Sequence, residues 1–192
     1  GAGPWTKEIV QNADFISVSI GGNDLLNEYN RILSLALSGG GESAEINAIY
    51  TAFQSNLTQI INKLRSWNQT CKIYVQTLYN PYYDYYFLGM NVGTLFEPYI
   101  NRLNTVISNV QRSSGYVFDT VDVAGALNSD SSNFYSNFDF HPTKAGHAKI
   151  AALLLETYRV DFPSATTTAT TTVAITTTAE TTTIAETTTI AA

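Results

Sequence analysis

Near the start of the chain, two glycines are followed by an amide and a carboxylate, in the run Gly21-Gly22-Asn23-Asp24. The apolar, β-branched residues ahead of them predict a strand, and apolar residues at helical spacing follow, so the glycines form the turn between the two. Asn23 can then present two N–H donors at a helix start, where negative charge is also favoured. The competing interpretation is structural, with Asn23 or Asp24 only capping the helix.

A second pair with chemical potential stands near the other end, where Asp139 precedes His141 by two residues. A carboxylate bonded to one imidazole nitrogen fixes the tautomer and leaves the other nitrogen free to act as a general base. Pro142 is expected at the first position of the last helix, which would hold His141 just before it. Alternatively, Asp139 caps that helix and His141 is a surface loop residue. His147 is expected to be a packing or surface residue on the helix.

Strands and helices alternate along the chain, which indicates βαβ units and a parallel sheet covered on both faces. Ligands of such sheets bind beyond the carboxyl ends of the strands, where Asn23 and His141 would meet. The strand at 72–78 is mixed enough in polarity to predict an edge or half-exposed position, and Pro98 fits its helix only in the first turn. The predicted strands are 15–20, 72–78 and 115–119. The predicted helices are 5–11, 25–38, 43–64 with Ser43 as its cap, 94–112, and a last one that begins at Pro142.

Composition limits the possible functions. The chain has 192 residues, 44% of them apolar, which suffices for one domain with a real core. A formal charge of −6 without any basic run makes a nucleic-acid surface unexpected. The single cysteine, Cys71, excludes an internal disulfide, and no Cys/His cluster has metal-ligand spacing, so neither a metal nor another cofactor is expected. No apolar run approaches membrane-spanning length.

From Ser164 onward the composition changes to a threonine-rich tract in which the hexapeptide Ala-Glu-Thr-Thr-Thr-Ile occurs twice in succession. Such a tract cannot bury enough surface to offset the entropy of ordering it. We therefore divide the chain into a folded domain, 1–163, and a disordered linker or tail, 164–192. Tracts of this kind are typical of stalks in secreted proteins, and this one could join the domain to a cell wall or to a further module. The alternative is a disordered tail without a role.

Together, the motifs Gly21-Gly22-Asn23-Asp24 and Asp139-Phe140-His141-Pro142 resemble those of the SGNH (GDSL-type) hydrolases. The strand residues 17–20 and the run Leu78-Tyr79-Asn80-Pro81 are also similar to that family, and the resemblance extends over about residues 13–158. It implies a flavodoxin-like, three-layer α/β/α fold. It also implies a serine nucleophile that hydrolyses esters and related acyl groups.

The resemblance carries roles over to individual residues. Asn23 corresponds to the oxyanion-hole asparagine of the family, Gly22 to the turn that aims it, and His141 to the catalytic base. The family's aspartate more often stands three residues before the histidine, where this chain has Phe138. Asp139, two residues before, is the nearest candidate for the acid, and a serine–histidine dyad remains open.

The family's Gly-Asp-Ser block, which carries the nucleophile on the first strand, has no counterpart before Asn23. Ser43 follows a similar-looking Gly-Glu pair but comes after Asn23 and caps a helix, while Ser17 and Ser19 are expected inside a strand. We interpret the chain as an N-terminally incomplete copy that lacks the first one or two strands. The chain as printed is then expected to be unable to turn over an ester.

An aromatic cluster at 79–87 follows the second strand and is expected to border the crevice, with Tyr79 and Asn80 as candidates for substrate binding. Alternatively, this loop packs its own tyrosines against the core. The function that these patterns favour is a secreted or cell-surface serine esterase acting on acyl or acetyl esters of carbohydrates or lipids. The alternative is a non-catalytic binding module on a degenerate hydrolase fold.

Overall fold

The computed structural model of the protein describes residues 4–39, 41, 43–135 and 139–163. The three longest strands form one parallel sheet, as the alternation of elements predicts. The helices are α1 (Pro4–Gln11), α2 (Gly22–Leu26), α3 (Tyr29–Leu37), α4 (Ala44–Trp67), α5 (Val92–Ser113), α6 (Val123–Leu127) and α7 (Lys144–Asp161), and the strands are β1 (Phe15–Val18), β2 (Lys72–Gln76), β3 (Tyr86–Phe87), β4 (Met90–Asn91) and β5 (Asp119–Val121).

The parallel sheet has the order β1-β2-β5, with β2 in the middle. The expectation that the second strand lies near an edge is therefore wrong. Ile73, Tyr74 and Val75 are buried, and the polar residues Lys72 and Gln76 stand only at the two ends of β2. Within the described residues β1 pairs with β2 alone, so its other edge is open.

Helices cover both faces of the sheet, which gives the expected three-layer α/β/α arrangement. Ile73 and Val75 point into a core shared with α3, α4 and α5. Tyr74, on the opposite face of the same strand, packs with Val121 against α6 and the partly buried apolar residues of α7. The alternation of side chains along β2 thus divides the apolar core into two parts.

The prediction of one continuous helix over 25–38 is wrong, because the chain forms α2 and α3 with a break between them. Glu28 leaves the helical backbone (φ −105°, ψ 17°), and its N–H donates to the Leu25 carbonyl three residues back. Leu25 and Ile32, seven residues apart, are nevertheless both buried. The apolar periodicity therefore holds although the helical hydrogen bonding is interrupted.

Pro98 lies in the second turn of α5 and not in the first, as expected, because α5 begins at Val92. Its missing N–H leaves the carbonyl of Thr94 without a helical donor. Both residues are exposed, so water can satisfy that carbonyl.

The strand expected at 115–119 begins only at Asp119. Gly115 and Tyr116 both have left-handed backbone, at φ 73° and 59°. The Tyr116 N–H donates to the Gln111 carbonyl, so these residues close α5 instead of extending β5.

The tyrosine-rich segment after β2 contains an antiparallel hairpin that the sequence analysis did not anticipate. Tyr86 pairs with Asn91 and Phe87 with Met90, and the two residues between them form the turn. The hairpin leads directly into α5, where the Thr94 N–H donates to the capping Asn91 side chain.

The last helix, α7, begins at Lys144 with Thr143 as its N-cap, which accepts a hydrogen bond from the Gly146 N–H. Pro142 is therefore not the first helical residue, as was expected; it forms an isolated bridge with Phe134. Neither does Asp139 cap the helix. The Phe134–Pro142 bridge ties the loop that carries His141 to the body of the domain.

None of the helices in the described ranges has the length and apolarity needed to cross a bilayer. The threonine-rich region 164–192, which we predict to be a linker or tail, lies outside the described residues, as does Phe138.

Candidate active site

A pocket of about 490 Å³ lies at the carboxyl ends of β1 and β2, the edge at which parallel sheets bind their ligands. The two motifs singled out from the sequence both reach it. Its lining includes the Gly21–Asn23 turn, His141 and Tyr79. The structure therefore brings together residues that are more than a hundred positions apart in the sequence.

The turn that follows β1 depends on Gly21 rather than on Gly22. Gly21 has φ 103°, in the left-handed region, and a Cβ there would lie 2.8 Å from the Phe53 ring. Gly22 is the first residue of α2, and a Cβ on it would make only an ordinary contact with Leu78 at 3.8 Å. The expectation that Gly22 makes the turn is thus shifted by one residue, although Gly22 does line the pocket.

Asn23 lies in the first turn of α2, exposed at the pocket. The residue at the cap position of α2 is Gly21, and no side chain caps the helix. Among the described residues, the Asn23 amide has no hydrogen-bond partner. Its donors are therefore available to a ligand, and the capping alternative does not account for this side chain.

Asp139 holds His141 by two hydrogen bonds to one carboxylate oxygen. The His141 backbone N–H donates to Oδ1 at 2.9 Å, and ring atom Nδ1 lies 2.7 Å from the same oxygen. The backbone bond and then the ring bond lower the pKa of Asp139, so the carboxylate is ionised at neutral pH. An ionised carboxylate can only accept, so in the neutral imidazole Nδ1 carries the proton and Nε2 has the lone pair. Within the part of the chain that the structure describes, Nε2 has no partner.

Tyr79 contacts the loop that carries Asp139 and His141. Its hydroxyl donates to the Phe140 carbonyl at 3.1 Å, in the middle of the Asp139–His141 motif. Burial, with a smaller contribution from the Asp139 charge, raises the pKa of Tyr79 to about 12. The Phe140 ring packs edge to face against the Tyr82 ring, with their centroids 5.9 Å apart, and this contact also holds the motif in place.

Asn80, a candidate for substrate binding from the sequence, does not line the pocket. It is 4% exposed, and both ends of its amide are engaged by the backbone. Nδ2 donates to the Gly93 carbonyl at 2.8 Å, and Oδ1 accepts from the Tyr82 N–H at 3.0 Å. This placement gives Asn80 a structural role, joining the loop after β2 to the start of α5.

An apolar wall of the pocket comes from the loop after β2 and from the first turns of α5: Leu78, Pro81, Tyr82, Phe96 and Ile100. The loop part agrees with the expectation that the aromatic cluster at 79–87 borders the crevice, whereas Phe96 and Ile100 were not singled out from the sequence. The sequence signal for the α5 part is that the start of α5 must lie at the carboxyl edge of the sheet, because α5 runs back to the start of β5.

Two aliphatic hydroxyl groups also line the pocket, on Ser19 and Thr77. The Thr77 hydroxyl accepts from the Ala124 N–H at 2.9 Å and is therefore part of the fold. Ser19 is exposed and follows β1, which ends at Val18, so the expectation that it lies inside the strand is wrong. The described residues contain no group of three or more acidic, histidine or cysteine side chains that could hold a metal ion.

Chemically, the pocket combines an oriented imidazole with a lone pair, an unpaired amide donor and an apolar wall. The profile of the GDSL-like lipase/acylhydrolase family matches residues 2–149. No curated protein sequence matches the chain significantly.

Solved structures share this fold. A lipase from a goat rumen metagenome superposes with a TM-score of 0.62 at 18% identity, over 80% of this chain and 68% of the lipase. Phospholipase A1 from Streptomyces albidoflavus gives 0.52 at 19% identity, over 78% of this chain and 75% of the enzyme. Axe2, an acetylxylan esterase from Geobacillus stearothermophilus, gives 0.51 at 18% identity, over 79% and 63% of the two chains. The likeness to these structures concerns the fold, and the family match covers most of the sequence: the chain belongs to the GDSL-like lipase/acylhydrolase family.

Proposed function

We propose that this protein hydrolyses esters with a serine nucleophile, with Asn23 as the oxyanion donor and His141 as the general base. The observation that supports this most directly is that the Asn23 amide and His141 Nε2, neither of which has a hydrogen-bond partner among the described residues, line one pocket. Asp139 orients the base and balances the positive charge that the imidazole gains during the reaction.

In the reaction, the serine oxygen attacks the ester carbonyl while its proton passes to Nε2 of His141. The carbonyl oxygen becomes an oxyanion that accepts a hydrogen bond from Asn23 Nδ2. As the tetrahedral intermediate collapses, Nε2 returns the proton to the departing alcohol, and water then releases the acyl group by the same route. Asp139 remains ionised throughout.

The proposal places the nucleophilic serine on a further strand along the open edge of β1. The carboxyl ends of parallel strands share one edge of a sheet, so a serine at the end of such a strand would stand beside Asn23. Ser19 is the rival, since it is an exposed hydroxyl in the same pocket. A binding module that has lost its nucleophile is the non-catalytic alternative.

The test uses the protein expressed from its complete gene and a panel of p-nitrophenyl esters of rising chain length. Asn23→Ala should lower kcat by about 10²–10³-fold, because an oxyanion donor acts mainly on the transition state. The exposed amide has no hydrogen bond to any residue that the structure describes, so the melting temperature should stay within about 1–2 °C of wild type. Asn56→Ala, which removes an exposed asparagine from α4, is the matched control and should leave kcat unchanged.

Equal losses of activity and stability in Asn23→Ala would return Asn23 to a structural role. Absence of hydrolysis in the wild type, combined with retained ligand binding, would favour the binding module. Acetyl esters of carbohydrates and esters of lipids both remain substrates of the proposed enzyme, since structural neighbours carry either name. We further propose that the protein is secreted, which detection in the culture medium would test.

A further inference from the structure

The hairpin β3–β4 exposes four large apolar side chains at one point of the surface. The tip consists of Tyr86, Phe87, Leu88 and Met90, and the side chain of Leu88 is the most exposed of them at 84%. Contiguous exposed apolar groups of this kind mark interaction sites more often than chance positions on a surface. No residue of the proposed catalytic machinery belongs to this tip.

The backbone conformation at Leu88, in the turn of the hairpin, is one that leucine rarely adopts. Leu88 and Gly89 have φ values of 49° and 78°, as a two-residue type I′ hairpin turn requires. Asparagine or glycine normally occupies the first of these positions, and a bulky side chain there is strained. Backbone strain of this kind is concentrated at functional sites, so a leucine at this position indicates a role outside the hairpin.

The base of the hairpin is well anchored. The Val92 N–H donates to the Tyr85 carbonyl at 2.8 Å, and Tyr85 packs against the main core. Asn91, the last residue of β4, accepts from the Thr94 N–H and so fixes the hairpin to the start of α5. The tip is therefore presented in a defined position, and docking it incurs little ordering entropy.

The hairpin also lies beside the pocket. It rises from the loop that follows the carboxyl end of β2, and the chain then enters α5, which contributes Phe96 to the pocket wall. Tyr82 is another part of that wall. The centroid of its ring lies 6.5 Å from the ring centroid of Tyr85, at the base of the hairpin. A surface bound at the tip would consequently be close to the pocket.

Charge and side-chain chemistry define the partner. Residues 73–101 contain no lysine or arginine and the chain carries a charge of −6, so nothing at the tip favours an anionic surface. Leucine and methionine provide neither a flat ring for a sugar to stack on nor a hydrogen bond, whereas tyrosine, phenylalanine and leucine all suit a lipid–water boundary. We propose that this tip inserts into an uncharged lipid–water interface and holds the pocket against it.

This inference rests on the proposed function in one respect, because it selects lipid esters as the substrate class, but it is tested by binding alone. The complete protein is sedimented with sucrose-loaded phosphatidylcholine vesicles. Leu88→Asn should lower the partition coefficient about tenfold, since burial of one leucine is lost. The same variant should melt no lower than wild type, because asparagine suits the turn. If Leu88 served only to stabilise the fold, Leu88→Asn would bind the vesicles as well as the wild type does and would melt at a lower temperature.

Val160→Asn is the matched control. Val160 is 74% exposed near the end of α7, and the Asp161–Lys72 ion pair places that end at the amino edge of the sheet, away from the pocket. Its partition should equal that of the wild type. Leu88→Trp, which keeps an apolar group at the tip, should bind at least as well as the wild type.

Any of four results would overturn the docking proposal. These are no binding of the wild type to the vesicles, equal binding by Leu88→Asn, dimers that form through the tip without lipid, or binding to insoluble xylan that depends on Leu88. The two proposals fail separately. A protein without esterase activity that still binds vesicles through Leu88 contradicts the proposed function, and an active esterase that ignores vesicles contradicts only the docking.

Discussion

At the scale of single residues, the site contains polar groups of two kinds: those whose donors and acceptors are bonded within the protein, and those with donors or acceptors available to a ligand. Asp139 gives one oxygen to two donors of His141, and Tyr79 secures the carbonyl between them. The Asn23 amide, by contrast, donates to no residue in the described ranges, which leaves both N–H groups available to a ligand. The same amide group in Asn80 is wholly committed to the backbone. Residue type alone therefore does not separate a binding asparagine from a structural one; the neighbours do.

The glycine pair before Asn23 gives a prediction that distinguishes its two members. Gly21→Ala should lower the free energy of unfolding by about 2 kcal/mol or more, because a left-handed backbone disfavours a Cβ and the Phe53 ring must move. Gly22→Ala should leave the free energy of unfolding unchanged or raise it by up to about 1 kcal/mol, since its Cβ would have room and alanine favours a helix over glycine. Urea unfolding of both variants measures the difference, and equal losses would contradict this account of the turn.

Tyr79 gives a prediction in alkaline solution. Its folded-state pKa of about 12 lies above the ordinary value of 10, so the folded protein retains the phenol proton more tightly than the unfolded chain does. The stability that this burial contributes is complete below about pH 10 and is lost as the pH rises towards 12. Tyr79→Phe should therefore flatten the decline in unfolding free energy between pH 10 and 12.

Denaturant unfolding at pH 9, 10 and 11 measures that decline. Tyr116→Phe, which removes an exposed phenol, controls for the loss of one tyrosine. A Tyr79→Phe variant whose stability falls as steeply as that of the wild type would show that the hydroxyl is not held as described.

At the scale of elements, long periodic segments could be predicted from the sequence and short ones could not. Apolar spacing and alternation, which local sequence expresses over many residues, predict the helices α1, α4, α5 and α7 and the parallel direction of the strands, but not the order of the strands. The hairpin could not be recognised because its turn is Leu-Gly and not Asn-Gly. The late start of β5 depends on two left-handed residues that end α5.

The same limit applies to the candidate site. The Gly-Gly-Asn and Asp-x-His motifs were recognisable because their residue types are chemically unusual at a strand end and before a helix. The part of the apolar wall that α5 contributes was not recognisable, since Phe96 and Ile100 look like any other inward residues of that helix. Which inward residues meet the core and which line a pocket is decided by the neighbouring elements, and not by the period of the helix.

Pro98 leads to a prediction about α5 as a whole. It stands between Phe96 and Ile100 in the pocket wall, and a proline in a second turn removes one helical hydrogen bond. Pro98→Ala should therefore raise the free energy of unfolding by about 1–3 kcal/mol. Glu97→Ala, at the exposed neighbouring position, is the control and should change it by less than about 0.5 kcal/mol. A destabilised Pro98→Ala would mean that the proline is built into the packing of this wall.

At the scale of the whole molecule, the proposed chemistry requires a nucleophile, and Ser19 is the one serine among the described residues that line the pocket. We expect the chain as printed to remain unlabelled by a serine-directed fluorophosphonate, since Ser19 has no described hydrogen bond to a base. Mass spectrometry of the treated protein, with Ser19→Ala as control, measures this. Labelling at Ser19 would make that residue the nucleophile and remove the need for a further strand.

The open edge of β1 has a consequence for handling the protein. An unpaired strand edge offers a row of backbone donors and acceptors to any other chain, and natural proteins usually protect such edges with charges, bulges or a covering segment. β1 has none of the charged residues that would discourage pairing, as its sequence is Phe-Ile-Ser-Val. The isolated chain should therefore aggregate as its concentration rises. A short synthetic peptide that pairs with β1 as an added strand should keep the protein in solution, as in donor-strand complementation.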